Sequence, residues 1–306
     1  MERLRVLAGY VREPSRAEKV GIGKGSFSYF LRHRYSQMMI ALSLLATLLL
    51  LAVLLIIMTY IFLRGVPGLN WQFFTRPPAP VGLPGGGVYH AITGSLVLVG
   101  LACLIAVPWG VATGIFLAEF GRRGRAGDIV RFTADVLSGM PSITAGIFVY
   151  TLLVVKMRTF SALAGGLALA IVMLPVVARN TEEMLRLVPL GQREAAMALG
   201  IPYWRTVLQV VLPSTARGVA IGITLAIAGI AGDPVPLFFT ALNNNYFSLD
   251  LTQPISSLPM EIFRYAAAPF AAWHGLAWTG ALVLIVIILL PMLLARILIP
   301  GYKIRR

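Results

Sequence analysis

Few side chains in this 306-residue chain could do chemistry, and those that could stand apart from one another. Asp233 is a carboxylate inside a largely apolar stretch, 213–242. At a membrane centre such a charge costs roughly 2.5–3.5 kcal/mol on insertion scales, so it faces a protein interior or a water-filled path. The other use open to it is a local hydrogen bond at the break made by Pro234. An ionised carboxylate repels anions, which leaves pairing with a cation or gating as its chemistry. Arg179 ends another apolar stretch beside Glu182 and Glu183, either as an anchor reaching for the interface or as the end of a path. Arg131 and Asp135 are expected on a helix just upstream of the third apolar stretch. His33, His90 and His274 have no neighbouring ligand pattern that would hold a metal. The single cysteine, Cys103, lies in an apolar stretch with no disulfide partner and reads as a packed, inert thiol. Gly21-Ile-Gly-Lys-Gly-Ser26 approaches a phosphate-cradling loop but has the wrong spacing and no preceding strand. None of these groups forms an arrangement suited to catalysis.

A different kind of site lies between 179 and 213. Arg193-Glu194-Ala195-Ala196-Met197-Ala198-Leu199-Gly200-Ile201-Pro202-Tyr203-Trp204-Arg205 leads on to Val210-Val211-Leu212-Pro213. The spacing predicts a short helix at about 191–201, a glycine turn, and a second helix. On the first, Glu194, Met197 and Ala198 fall within one turn and share a face. Ala195 and Ala196 keep its surface small enough to enter a groove. An ordinary loop with a glycine C-cap fits the same composition.

The elements that must hold these residues are membrane helices. Hydrophobic residues make up 58% of the chain and charged residues 12%, against roughly 25% charged in an ordinary soluble domain. The first apolar run, 38–63, has 26 residues without a charge, and about 20 residues of helix cross a bilayer core. Six such blocks can be drawn, at about 38–63, 91–118, 139–155, 160–178, 213–242 and 276–299, giving an all-α fold of about six transmembrane helices. The net charge of +14 does not indicate nucleic acid, because the cations fall between the apolar blocks instead of among aromatics on a soluble surface. With the N-terminus inside, one side holds 21 Lys and Arg and the other 5. Both termini are therefore expected in the cytoplasm. The expected organisation is a basic cytoplasmic tail 1–36, a membrane domain 37–300 containing a cytoplasmic loop 180–212, and a short cytoplasmic tail 301–306. The first helix is expected to be retained, since its apolar run exceeds the 7–15 residues of a signal-peptide core. Gly110-Val-Ala-Thr-Gly114 and Gly218-Val-Ala-Ile-Gly222 would let helix backbones approach closely, and the fifth block is expected to pack centrally. Segment 243–275 carries Tyr246, Phe247, Phe263, Tyr265 and Trp273, residues suited to a membrane interface or to a docking surface for an external partner.

The stretch from Glu194 to Pro213 resembles the EAA loop of ABC-importer permeases, matching it at Glu194, Ala195, Ala196, Gly200, Val210, Leu212 and Pro213. Ala91-Ile-Thr-Gly-Ser-Leu96, Ile105-Ala-Val-Pro-Trp-Gly110, Ala118-Glu-Phe-Gly121 and Pro141-Ser-Ile-Thr-Ala-Gly-Ile-Phe148 resemble the PstA-type phosphate permeases. So do Asn180-Thr-Glu-Glu-Met-Leu185, Leu237-Phe-Phe-Thr-Ala-Leu242, Gln253-Pro-Ile255 and Leu258-Pro259. The resemblance covers roughly 40–298. It implies a type I (MetI-like) permease fold in a bacterial inner membrane, with the loop acting as a coupling helix that enters a groove on an ATPase. Glu194, Ala195, Ala196, Gly200, Leu212 and Pro213 are then the coupling residues. The implied partners are a PstC-like second permease, two copies of a PstB-like ATPase, a PstS-like external phosphate-binding protein, and membrane lipid. No cofactor would bind this chain, and ATP with Mg would be used by the ATPase.

Two positions depart from that family. Where such sequences commonly read Ala-Ile-Ala-Arg-Ile-Ala-Gly-Glu-Thr-Ala-Pro, this one has Gly229 for the arginine and Asp233 for the glutamate. On one continuous helix these two would share a face. With Arg179 and Thr240 they are the expected path residues, and a lost arginine leaves phosphonate, sulfate or molybdate as alternative oxyanions. An ion-driven secondary transporter is the reading from another class. It would be expected to show carboxylate or histidine relays and often inverted repeats, and the sequence has one such carboxylate and no clear repeat.

Overall fold

The structure is a computed structural model that describes residues 26–80, 83, 85–121 and 124–298. The Gly21–Gly25 part of the glycine-rich stretch, most of the basic N-terminal tail and the C-terminal tail 301–306 lie outside the described residues. The chain divides into two units, 1–60 and 61–306. Helix α1 (Ser26–Gly65) supplies the described part of the first unit and starts inside what reads in the sequence as a tail. Among the described residues five helices are long and apolar enough to cross a membrane, or six if one bent pair counts as a span.

In the second unit, α2 (Tyr89–Ile115) runs into a single π turn, Phe116–Phe120. Next come α3 (Arg125–Gly139) and α4 (Ser142–Val149), the latter continuing through a second π turn to Met157. The chain bends by 103° between them. Pro141 causes this, because the residue before a proline is pushed out of the helical region, and Met140 is extended at ψ 131°. The predicted third span is thus a short arm on a bent pair.

Helix α5 (Ala162–Arg186) starts at Ser161, whose hydroxyl caps the Ala164 amide at 3.2 Å. It is the most buried of the candidate spans, with 61% of its apolar window inside the protein. The sequence placed the fifth block at the centre; the fourth occupies it instead. Both small-residue motifs face α5 from opposite neighbours. A Cβ at Gly110 would lie 2.8 Å from Val177, and one at Gly114 would lie 2.5 Å from Thr181. Gly218 and Gly222 lie against Met184 and Asn180 in the same way. Overfilling a tight contact costs roughly 1–3 kcal/mol. Gly114→Ile is therefore expected to lower membrane abundance and thermal stability, whereas Gly100→Ile, on an open part of α2, leaves both near wild type. Immunoblotting and a thermal-shift assay compare them.

Then follow α6 (Leu190–Ala198), α7 (Tyr203–Thr206), a third π turn (Val207–Val211) and α8 (Leu212–Ala231). Pro213 has no N–H for the helical bond one turn back, and the π turn just before it absorbs the mismatch. The fifth block is not helical to residue 242. It stops at Ala231 with Gly232 as C-cap, and a 3-10 turn, Pro236–Phe239, follows. Helices α9 (Leu258–Ala267) and α10 (Ala271–Leu298) complete the unit. Of the aromatics expected at an interface, Tyr246 (80% exposed), Phe247 and Phe263 are outside, but Tyr265 and Trp273 are buried, packed edge to face. Glu261 on α9 is buried with them and accepts hydrogen bonds from Asn243 at 2.8 Å, Ser256 at 3.1 Å and Arg264 at 2.5 Å.

Candidate functional site

Local sequence accounts for the shape of α6. Pro189 enters extended and precedes the first turn, and Gly200 ends the helix at φ +80°, where a side chain would be strained. Gly200 N–H donates to Met197 O at 2.9 Å and Ile201 N–H to Ala196 O at 3.3 Å. This crossed pair is the Schellman stop, which satisfies two orphan carbonyls, and Pro202 then prevents any continuation. The expected helix, glycine turn and second helix are all present.

The helix has two distinct faces. Glu194, Ala195, Met197 and Ala198 are exposed, and Leu199 is 82% exposed at the tip. Arg193 and Ala196, three residues apart, point inward and are 3% and 6% exposed. Ala196 was expected on the open, small surface. It lies beneath the helix, because the side of α6 that meets the protein is fixed by Arg193.

Arg193 binds Glu119 in the π turn that ends α2. Nη2 donates to Oε1 at 2.6 Å and Nε to Oε2 at 3.1 Å, with the Glu119 side chain fully buried. The same guanidinium donates to Val188 O at 2.5 Å and Leu185 O at 2.9 Å, carbonyls at the end of α5. Tyr203 of α7 donates its hydroxyl to Glu119 Oε2 at 2.5 Å, and its ring packs edge-on against Phe120. An apolar patch of Ala118, Leu185, Val188 and Val211, with Ile115 against it, lies among the same elements. The two π turns, 116–120 and 207–211, each contribute a residue to that patch. Sequence reading missed Glu119 and Arg193 as a pair. Glu119 stands at the rim of an apolar stretch, whereas Arg193 sits beside Glu194 in the middle of the loop, and nothing in the sequence links the two.

A second charged cluster adjoins the first. Buried Glu182 accepts from Arg131 Nε at 2.9 Å and Arg186 Nη2 at 2.5 Å, with Arg179 at 3.6 Å. Arg131 Nη2 also donates to Leu117 O and Gly121 O, both at 3.0 Å, gripping the α2 π turn from its other side. Arg179 pairs with Asp135 on α3. It therefore joins α3 to α5.

The expected path residues do not converge. Gly229 is exposed on α8, and a Cβ there would meet nothing within 4 Å. Asp233 lies beyond the end of α8, so the shared helical face with Gly229 does not form. Its carboxylate accepts from Val235 N–H at 3.0 Å, a local turn at the Pro234 break. Thr240 is wholly buried, and its hydroxyl donates to Pro236 O at 2.8 Å. It faces the protein interior. Leu212 and Pro213 open α8 directly after the π turn, with Pro213 exposed.

The family of binding-protein-dependent transport system inner membrane components matches residues 110–304. Among curated relatives, the phosphate transport system permease protein PstA of Yersinia pestis is 45% identical over 240 residues, covering 78% of this chain and 81% of that protein. The PstA of Haemophilus influenzae is 40% identical over 262 residues, covering 85% and 92%. Among solved structures, an inward-facing form of the MetNI methionine ABC transporter superposes with a TM-score of 0.55 at 18% identity, covering 68% of this chain and 91% of that one. At that identity the likeness speaks for the fold.

Proposed function

Because the chain belongs to the binding-protein-dependent transport system inner membrane component family, and within it to the PstA-type permeases, we propose that it forms the membrane path of an ATP-driven phosphate importer and is driven through α6. The chain is a multi-pass membrane protein and a transporter component, with no catalytic role of its own. In this reading α6 lies in the cytoplasm and both termini are cytoplasmic. Its partners are a second permease, two ATPase subunits and an external phosphate-binding protein. ATP closes the ATPase pair, α6 moves with it, the cavity opens outward, and hydrolysis resets it inward.

The observation that carries this reading is the geometry of α6: a nine-residue helix with an open surface of Ala195 and Ala198 beside Glu194 and Met197, stopped sharply by Gly200. Small residues let a helix enter a groove, and the buried ion pair beneath keeps it from rolling. Co-expression with the ATPase and second permease, followed by affinity purification and ATP-dependent phosphate uptake in proteoliposomes, tests it. Phosphate over sulfate or molybdate in that assay decides the oxyanion.

The open position at Gly229 fits a cation supplied by the second permease, in place of the arginine common in the sequences this stretch resembles. Asp233, beyond the end of α8, is in this reading a separate carboxylate whose charge meets a cation of the second permease near the path. Asp233→Asn keeps an acceptor for Val235 N–H and removes only the charge. Phosphate uptake is expected to fall several-fold with membrane abundance and ATPase binding unchanged, measured by uptake alongside immunoblotting. Normal uptake would reduce Asp233 to a turn residue.

A further inference from the structure

We propose that Glu119 is the positioning residue through which movement of α6 reaches the membrane helices. This rests on the permease reading above and adds to it a route inside this chain. Three elements meet at this one carboxylate, and its partner Arg193 ties in a fourth. Glu119 itself belongs to the π turn ending α2, Arg193 to α6, and Tyr203 to α7 leading into α8. Leu185 and Val188, at the end of α5, are held by the same Arg193.

The geometry makes this node stiff. The guanidinium and carboxylate face one another through two parallel hydrogen bonds, 2.6 and 3.1 Å, an arrangement that fixes orientation as well as distance. Both side chains are removed from solvent, at 3% and 0% exposure, so water does not loosen the pair. α6 cannot shift without carrying Glu119, and with it the end of α2.

The elements on the far side of the node are built to yield. Both spans that leave it pass through a π turn, 116–120 in α2 and 207–211 ahead of α8. Single π turns inside helices are a recognised source of bends. Val211 and Ala118, one from each turn, pack in the same apolar patch. An ion pair anchored in the first of these turns, and joined through Tyr203 to the helix that leads into the second, turns a push on α6 into a change of angle of α2 and α8 against α5. Arg131, bonded to the carbonyls of Leu117 within the α2 turn and Gly121 at its end, holds that turn from a second side, so the turn moves together with the ion pair.

The test uses the assembled importer in proteoliposomes and reads ATP hydrolysed per phosphate taken up. The first variant replaces both charges by apolar groups, Glu119→Leu with Arg193→Leu, because removing a buried pair together is often tolerated where removing one partner is not. The complex is expected to assemble with its ATPase, while uptake falls at least tenfold and the ATP-to-phosphate ratio rises correspondingly. The second variant, Tyr203→Phe, keeps the ion pair and deletes one strut, and its ratio is expected to rise at least threefold. A merely structural node would change abundance without moving the ratio. Ratios equal to wild type in both variants overturn the proposal. If the double variant does not assemble, Tyr203→Phe alone decides. A wild-type complex that shows no ATP-dependent phosphate uptake overturns the permease reading, and the proposal with it.

Discussion

Arg193→Ala should leave little of this subunit in the membrane. The substitution strands the Glu119 carboxylate, whose side chain is fully buried, and takes donors away from the carbonyls of Leu185 and Val188. Breaking a buried pair by removing one partner costs roughly 3–5 kcal/mol. Whole domains are stable by only about 5–15 kcal/mol. A large share of the margin is lost at one position. The expected result on an immunoblot of membranes is a several-fold drop in abundance, with a matching fall in the thermal transition of purified protein. Glu119→Leu added to Arg193→Ala should recover most of the abundance, because it removes the stranded charge. Unchanged abundance in Arg193→Ala would mean that water reaches Glu119 and that the node is looser than its geometry.

Ala195→Arg is expected to do the opposite. Ala195 is two residues further along the same helix and exposed, where a surface substitution usually changes stability by no more than about 0.5 kcal/mol. The subunit should insert and fold as wild type does. A long cation on the small face cannot enter a groove shaped for alanine. A penalty of about 2.8 kcal/mol is a hundredfold in affinity. Co-purification of the ATPase is therefore expected to fall by one to two orders of magnitude at unchanged membrane abundance. The two variants together separate the inward side of α6, which holds the fold, from its outward side, which meets the partner. Wild-type ATPase recovery from Ala195→Arg would place the contact elsewhere on the chain.

What the sequence made legible was local or periodic. Gly200 followed by Pro202 dictates a helix stop whatever surrounds it, and the structure has that stop with its two crossed hydrogen bonds. The paired glycines at 110 and 114 and at 218 and 222 marked two close helix contacts, since absence of a side chain is visible residue by residue. What they pack against was not visible. Both meet α5, the first pair at Val177 and Thr181 and the second at Asn180 and Met184. The ion pair beneath α6 joins residues 74 apart, and no periodicity relates them. Which face of α6 turns inward follows from that pair, so the inward position of Ala196 was out of reach as well. Asp233 was assigned to a helix because its neighbours are apolar. Pro234 and Pro236 withhold two backbone donors just there, and the helix ends before it.

The most direct test of the account is phosphate uptake by proteoliposomes holding this chain, its companion permease and the ATPase, with the external binding protein added outside. The expected result is accumulation that requires ATP on the α6 side and the binding protein on the other, and that persists when proton and sodium gradients are collapsed. Uptake by this chain alone, driven by an ion gradient and indifferent to ATP, would contradict it.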